Sequence, residues 1–290
     1  MTIGIIVVVI FLFMALLMML RKIPALLALP LMAVLIGLAG GLPLLGEEGI
    51  LTYVLSAGAL KLTGTYVAIL FSCWLSQILY RTGVTDTIVK KAAEFGGDKP
   101  IIISICLSIV TAFLFTVLYG TGAVAMVGSI VLPIMLSVGV PPMVAANAYL
   151  AAMTAGYVIN PANISAITNI TGVAASSMYL CAAILSVMSI LFAIGYLVFS
   201  FRKTGKKFAF ATPVETTEDT DDERPKQVKG IRGFLACMTP LVVVAVMLIF
   251  RLEAITVFLV GIVWAMIFTI EGKWSKYSGM IVQSCYEGFK

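Results

Sequence analysis

Histidine is absent from this 290-residue chain, and its five cysteines form no CxxC or CxxH spacing. The chain therefore lacks the commonest metal ligand and the usual proton relay near neutral pH. The cysteines lie singly in or beside apolar stretches, as small buried hydrophobic residues do. A membrane-embedded enzyme needs a cluster of such side chains. We therefore expect neither enzyme activity nor a bound cofactor.

Charged residues are also scarce, at 11% of the chain against 61% hydrophobic, where soluble domains have about 25% charged. Apolar runs of roughly 20 residues recur, long enough to cross about 30 Å of hydrocarbon as helices. Alternating segments typical of a membrane barrel do not occur. The sequence thus predicts an all-α polytopic membrane protein with about nine transmembrane helices. The candidate spans are 3–20, 24–45, 63–80, 100–118, 123–139, 142–159, 178–200, 234–250 and 254–270.

The net charge of +5 lies mostly in the joints between these runs. The positive-inside rule places the basic joints in the cytoplasm and the N-terminus outside, with Lys61 and Arg251 as exceptions. This pattern indicates a multi-pass protein of the cytoplasmic (inner) membrane and gives no reason to expect nucleic acid as a partner. The basic joints contain Arg21 and Lys22; Arg81, Lys90, Lys91 and Lys99; Arg202, Lys203, Lys206 and Lys207; and Lys273 and Lys276.

A polar segment, residues 202–232, separates two apolar regions and carries an acidic cluster from Glu215 to Glu223. Its composition predicts a flexible cytoplasmic linker. We interpret residues 1–201 as a first transmembrane repeat and 233–290 as the start of a second, incomplete one. Each begins with two apolar runs joined by an arginine, but in opposite orientations. Such a pattern predicts the inverted-repeat architecture of secondary transporters.

The first predicted helix break is at "YGTGAVAMVGSIVLPIM", where Gly120, Thr121 and Gly122 open an apolar segment. Unwound backbone at membrane depth costs several kcal/mol per group, roughly, unless it faces protein, water or a ligand. The break is therefore either a device for close helix packing or part of a binding site.

The second predicted break is "YVINPANISAITNITG", Tyr157 to Gly172. Pro161 removes a donor and disfavours helix at Asn160, so a helix should end there and another begin. A helix N-terminus carries roughly half a positive charge and suits a carboxylate. The alternative is an external loop with helix caps. The polar residues that follow Pro161 are Asn163, Ser165, Thr168, Asn169 and Thr171.

The order "YGTGAVAMVGSIVLPIM", a further helix and "NPANISAITNITG" resembles the gluconate, citrate and four-carbon dicarboxylate permeases of the ion transporter superfamily. The resemblance covers roughly residues 63–177 and the terminal "YEGFK". It implies a substrate site at the two broken segments. The implied substrate-binding residues are Gly120, Thr121, Gly122, Asn160, Pro161, Asn163 and Ser165. Gluconate-type permeases tend to have an acidic residue near the first segment and histidine near the second, where Thr121 and Asn163 stand here.

These features favour a symporter for a small organic anion of the carboxylate class, coupled to sodium or protons. Thr121, Asn160 and Thr168 are the candidate cation ligands, because neutral oxygens suit sodium. A cation/proton antiporter of the same architecture is the alternative, although it requires a carboxylate within the membrane and the candidate spans contain none. The expected partners are the organic anion, the lipid bilayer and a second copy of the chain in a homodimer.

Overall fold

The computed structural model describes residues 2–46, 49–97, 99–204, 228, 230–250, 252–270 and 274–289. Of this structure 85% is helix, and the described residues contain no strand, which confirms the all-α class. Pro142–Ile159 and Ser177–Lys203 are long and apolar enough to cross a membrane, and the number rises to four if each of two bent helix pairs is one span. The larger number of spans and the inverted repeat stay predictions.

The described residues divide into two compact units, Met1–Thr63 and Gly64–Lys290. The predicted linker lies largely outside the described residues, as do Arg251 and Lys273. At its two edges the structure is helical, because residues 202–204 end one helix and 230–232 begin the next. The predicted division into two repeats on either side of the linker stays a prediction.

The first unit consists of α1 (Thr2–Met19), α2 (Ala25–Ala39), a π-helical turn (Ile50–Ser56) and α3 (Ala57–Lys61). Helices α1 and α2 pack against each other. Most of their large apolar side chains are exposed, which is compatible with helices of a membrane protein that are hydrophobic on all sides.

The second unit contains eleven helices within its described residues. Their bounds are α4 (Thr63–Arg81), α5 (Val84–Phe95), α6 (Pro100–Phe115), α7 (Thr121–Ser137), α8 (Pro142–Ile159), α9 (Pro161–Thr171), α10 (Ala175–Thr204), α11 (Gly230–Cys237), α12 (Thr239–Phe250), α13 (Ala254–Thr269) and α14 (Trp274–Gly288). Helices α5, α9 and α14 are absent from the predicted spans. The predicted run 234–250 is divided, since α11 and α12 meet at a bend of 47°.

Helix α8 lies between α6 and α10 and is the centre of the second unit. Ala148, Ala152, Ala155 and Gly156, at helical spacing, are buried. Small residues on one face let helix backbones approach closely in a membrane protein. The approach is closest at Gly156, where an added Cβ would lie 2.2 Å from the carbonyl oxygen of Ala112. This packing sets α8 against the end of α6.

We predict that Gly156→Ala destabilises the protein by about 1–3 kcal/mol, because the methyl group has to push α6 and α8 apart. The measurement is the melting temperature in detergent. Gly195→Ala in α10 is the matched control, since nothing lies within 4 Å of a Cβ there. The control should match the wild type or exceed it slightly. Equal melting temperatures for the two variants would contradict the close approach.

Candidate functional site

The chain leaves the helix between α6 and α7, at residues 116–120. Gly120 precedes α7 with φ 92° and ψ 160°, a conformation that side-chain-bearing residues rarely adopt. No side chain caps the first turn of α7. The break therefore leaves backbone groups that need partners from other helices.

Helix α4 supplies several of these partners. The Ser72 hydroxyl donates to the Val117 carbonyl at 2.7 Å. The Cys73 thiol donates to the Tyr119 carbonyl at 3.5 Å, and the Tyr119 amide donates to the Ser76 hydroxyl oxygen at 3.1 Å. Three side chains of one helix thus bind the backbone of the break.

The second break, between α8 and α9, is held by Asn160, which is fully buried. Its Oδ1 accepts a hydrogen bond from the Ala162 amide at 3.0 Å and so caps α9. Its Nδ2 donates to the carbonyls of Phe115 and Leu118, both at 3.2 Å. One side chain therefore joins the start of α9 to the break after α6.

Tyr157 makes a further connection between the two breaks. Its hydroxyl oxygen accepts a hydrogen bond from the Gly120 amide at 3.2 Å, and its backbone carbonyl accepts one from Asn163 Nδ2 at 3.1 Å. Its ring stacks on Phe115 at 5.4 Å and meets Tyr119 edge-on at 5.1 Å. The start of α7 is therefore bonded to the hydroxyl end of Tyr157, and Asn163 is bonded to the backbone end of the same residue.

The predicted substrate residues fall into two groups. Asn160 and Pro161 are buried, and Gly120 forms the turn, so these three shape the backbone. Thr121 and Gly122 are exposed in the first turn of α7, and Asn163 and Ser165 are half-buried. The second group is therefore less buried than the first.

Two of the three predicted cation ligands, Asn160 and Thr168, lie apart along α9, and the cation site stays a prediction. Thr168 lies eight residues after Asn160, which corresponds to about 12 Å along α9. Oxygen atoms that bind one hard cation each lie about 2.3–2.6 Å from it, so any two of these oxygens are within about 5 Å of each other. The Thr168 hydroxyl donates instead to the Ile164 carbonyl at 2.6 Å. Among the described residues, no three His, Cys, Asp or Glu side chains are grouped so that they could hold a metal ion.

Sequence reasoning missed the contribution of α4. Besides Ser72, Cys73 and Ser76, this helix carries Thr65, whose hydroxyl oxygen accepts a hydrogen bond from Asn169 at 2.9 Å. Polar residues at positions 65, 72 and 76 share one face, since seven and four residues are near-integral numbers of helical turns. A polar stripe on an otherwise apolar helix could have indicated a protein-facing side.

A second missed residue is Gln77, one position after Ser76. Its Nε2 lies 3.8 Å from the place that a Cβ on Gly122 would occupy. This amide therefore stands beside the uncapped first turn of α7.

The arrangement offers neutral donors to an anion at a helix N-terminus. The amides of α7's first turn carry the positive end of the helix dipole, and Thr121 and Gln77 add polar side chains beside them.

No family model matches this chain, and neither a curated protein nor a solved structure matches it.

We predict that Asn160→Ala lowers the free energy of unfolding by about 2–4 kcal/mol, because it removes a helix cap and leaves two buried carbonyls unpaired. Thermal unfolding in detergent measures the change. Asn163→Ala is the control, since it loses one hydrogen bond at a half-buried position and should cost about 1 kcal/mol. If Asn160→Ala were no less stable than the control, Asn160 would not join the two breaks.

Proposed function

We propose that the protein is a secondary active transporter that carries a small organic anion, of the carboxylate class, across the cytoplasmic membrane by symport with sodium or protons. The observation that carries the proposal is the meeting of two helix breaks inside a set of apolar helices. One side chain, Asn160, bonds to both breaks. Transporters place substrate sites at discontinuous helices of this kind.

The anion would bind at the start of α7. The backbone amides of Thr121 and Gly122 have no side-chain cap, so a carboxylate can accept their hydrogen bonds. Asn163 lies at the other end of Tyr157, where its second N–H is left for a more distant polar group of the same substrate. Hydrogen bonds to a charged group contribute about 1.5–3 kcal/mol each. Two or three of them suffice for a micromolar to millimolar site without a buried lysine or arginine.

The resemblance of the two segments to the gluconate, citrate and four-carbon dicarboxylate permeases supports the same proposal. In that family the corresponding segments line the substrate cavity. A broken helix is stable in a membrane only if its free backbone groups have hydrogen-bond partners. Ser72, Ser76 and Asn160 are such partners here, as a permease of this kind requires.

The alternative is a cation/proton antiporter, and its candidate residue is Asp86, which is buried although it lies outside the predicted spans. Asp86 is a buried carboxylate, and its Oδ2 lies 2.7 Å from Lys90 Nζ. A carboxylate that exchanges protons for cations would be the essential residue of an antiporter. Asp86→Asn therefore separates the two functions. If the protein is an organic anion symporter, this variant should take up the anion as well per folded molecule as the wild type does. If the protein is an antiporter, the variant should lose cation/proton exchange.

We predict that Asn163→Ala reduces uptake per folded molecule about ten- to a hundredfold, because one hydrogen bond to the charged substrate is lost. Uptake of a panel of radiolabelled carboxylates into cells or proteoliposomes is the measurement. Asn147→Ala provides the control, since this exposed residue lies near the opposite end of α8 and, within the described part of the chain, bonds to the Tyr196 hydroxyl alone. Wild-type uptake in Asn163→Ala would remove this residue from the site.

We predict that uptake requires sodium. The chain has no histidine, and the described residues of the two breaks, 116–120 and 160–165, include no acid to carry a proton. Carbonyl and hydroxyl oxygens there are ligands that a hard cation accepts. The test compares uptake in sodium buffer with uptake in choline buffer under an imposed proton gradient. Undiminished uptake without sodium would show proton coupling instead.

A further inference from the structure

Helix α5 is amphipathic and follows α4 at a basic joint. Its first turn, Val84 to Thr87, is buried, as are Val89 and Ala92 further along. Toward its C-terminal end the helix exposes Lys91 and Phe95, and the Phe95 side chain is 86% exposed. A large aromatic side chain at this exposure leaves most of its apolar ring uncovered by the described residues.

Helix α11 packs against α5. It is amphipathic as well. The amide of Val228, just before α11, donates to the Thr87 hydroxyl oxygen on α5 at 3.1 Å. Gly233 and Ala236 are buried, while Ile231 is 82% exposed and Phe234 56% exposed. The bend of 47° turns α11 away from the direction of α12. A short amphipathic helix set at an angle to an apolar helix suits the plane of a membrane interface.

Among the described residues of α5, of α11 and at Lys99, which precedes α6, the exposed charges without an ion-pair partner are three positive and one negative. Two basic residues of the joint are paired, Lys90 with Asp86 and Arg81 with Glu287. Three others, Lys91, Lys99 and Arg232, are exposed and make no ion pair within the described residues. Glu94 is the exposed acid on α5. Positive charge beside exposed apolar rings complements an anionic lipid surface.

We infer that α5 and α11 form an interfacial platform that binds anionic phospholipid head groups. Phe95, Ile231 and Phe234 insert below the head groups, which removes their apolar surface from water. Lys91, Lys99 and Arg232 reach the phosphates, since long basic side chains extend toward polar groups. The inference requires membrane location but does not depend on which solute the protein carries.

The first test measures how much phosphatidylglycerol, relative to phosphatidylcholine, the purified protein retains in micelles that contain both lipids. The retained lipid is identified by native mass spectrometry. Replacing Lys91, Lys99 and Arg232 by Gln should lower phosphatidylglycerol affinity by about fivefold per residue, the effect of one basic side chain near an anionic surface. The matched control replaces Arg21, Lys22 and Lys61 by Gln. An equal loss in both triple variants would show diffuse attraction and overturn the platform.

The second test locates residue 95. The fluorescence of Phe95→Trp, after subtraction of the wild-type signal, is recorded in nanodiscs with brominated acyl chains. Insertion predicts strong quenching, which deepens when the discs contain phosphatidylglycerol and weakens when Lys91 and Lys99 are also replaced by Gln. A tryptophan that emits as in water and is not quenched would refute the proposal, whatever the uptake assays show.

Discussion

A backbone group that a helix break releases inside a packed set of apolar helices needs a hydrogen-bond partner, and this requirement determines the centre of the second unit. Where water is excluded, protein side chains have to satisfy such groups. Here Ser72 and Ser76 bond to the backbone of Val117 and Tyr119 in the break after α6. Asn160 bonds to the carbonyls of Phe115 and Leu118. The close packing of α8 on α6 at Gly156 holds Asn160 within reach of its two carbonyl partners.

The sequence predicted where the helices break, because the causes are local. Pro161 cannot donate to the preceding turn, and Gly120 tolerates a positive φ. It did not predict the hydrogen bonds of Asn160. The side-chain amide of this residue bonds to residues 42 and 45 positions earlier, while its role as a substrate ligand stays a prediction. Partners at such separations depend on the packing of α6 against α8, which no local pattern specifies.

The number of spans is hard to predict for a related reason. An apolar run includes the residues of a break, because Val117 and Leu118 are as hydrophobic as their helical neighbours. Helix α6 has 16 residues, or about 24 Å, which is shorter than about 30 Å of hydrocarbon. Hydropathy indicates whether a segment is apolar enough to lie in lipid, whereas the length of its helix decides whether it can cross the bilayer. The small helix α5 was not predicted because it is not apolar enough to register as a run, whereas the start of α9 at Pro161 was predicted from the proline.

The position of Asn160 has a consequence for motion. Because one side chain bonds to both breaks, neither can open alone without leaving buried polar groups unpaired. Opening of the break after α6 removes both hydrogen bonds of Asn160 Nδ2 in one event, while unwinding of α9 at Ala162 removes the bond to Oδ1. Because Asn160 couples these two movements, amide protons at Ala162, held by Asn160, and at Gly120, held by the Tyr157 hydroxyl, should exchange with solvent deuterium through one shared open state.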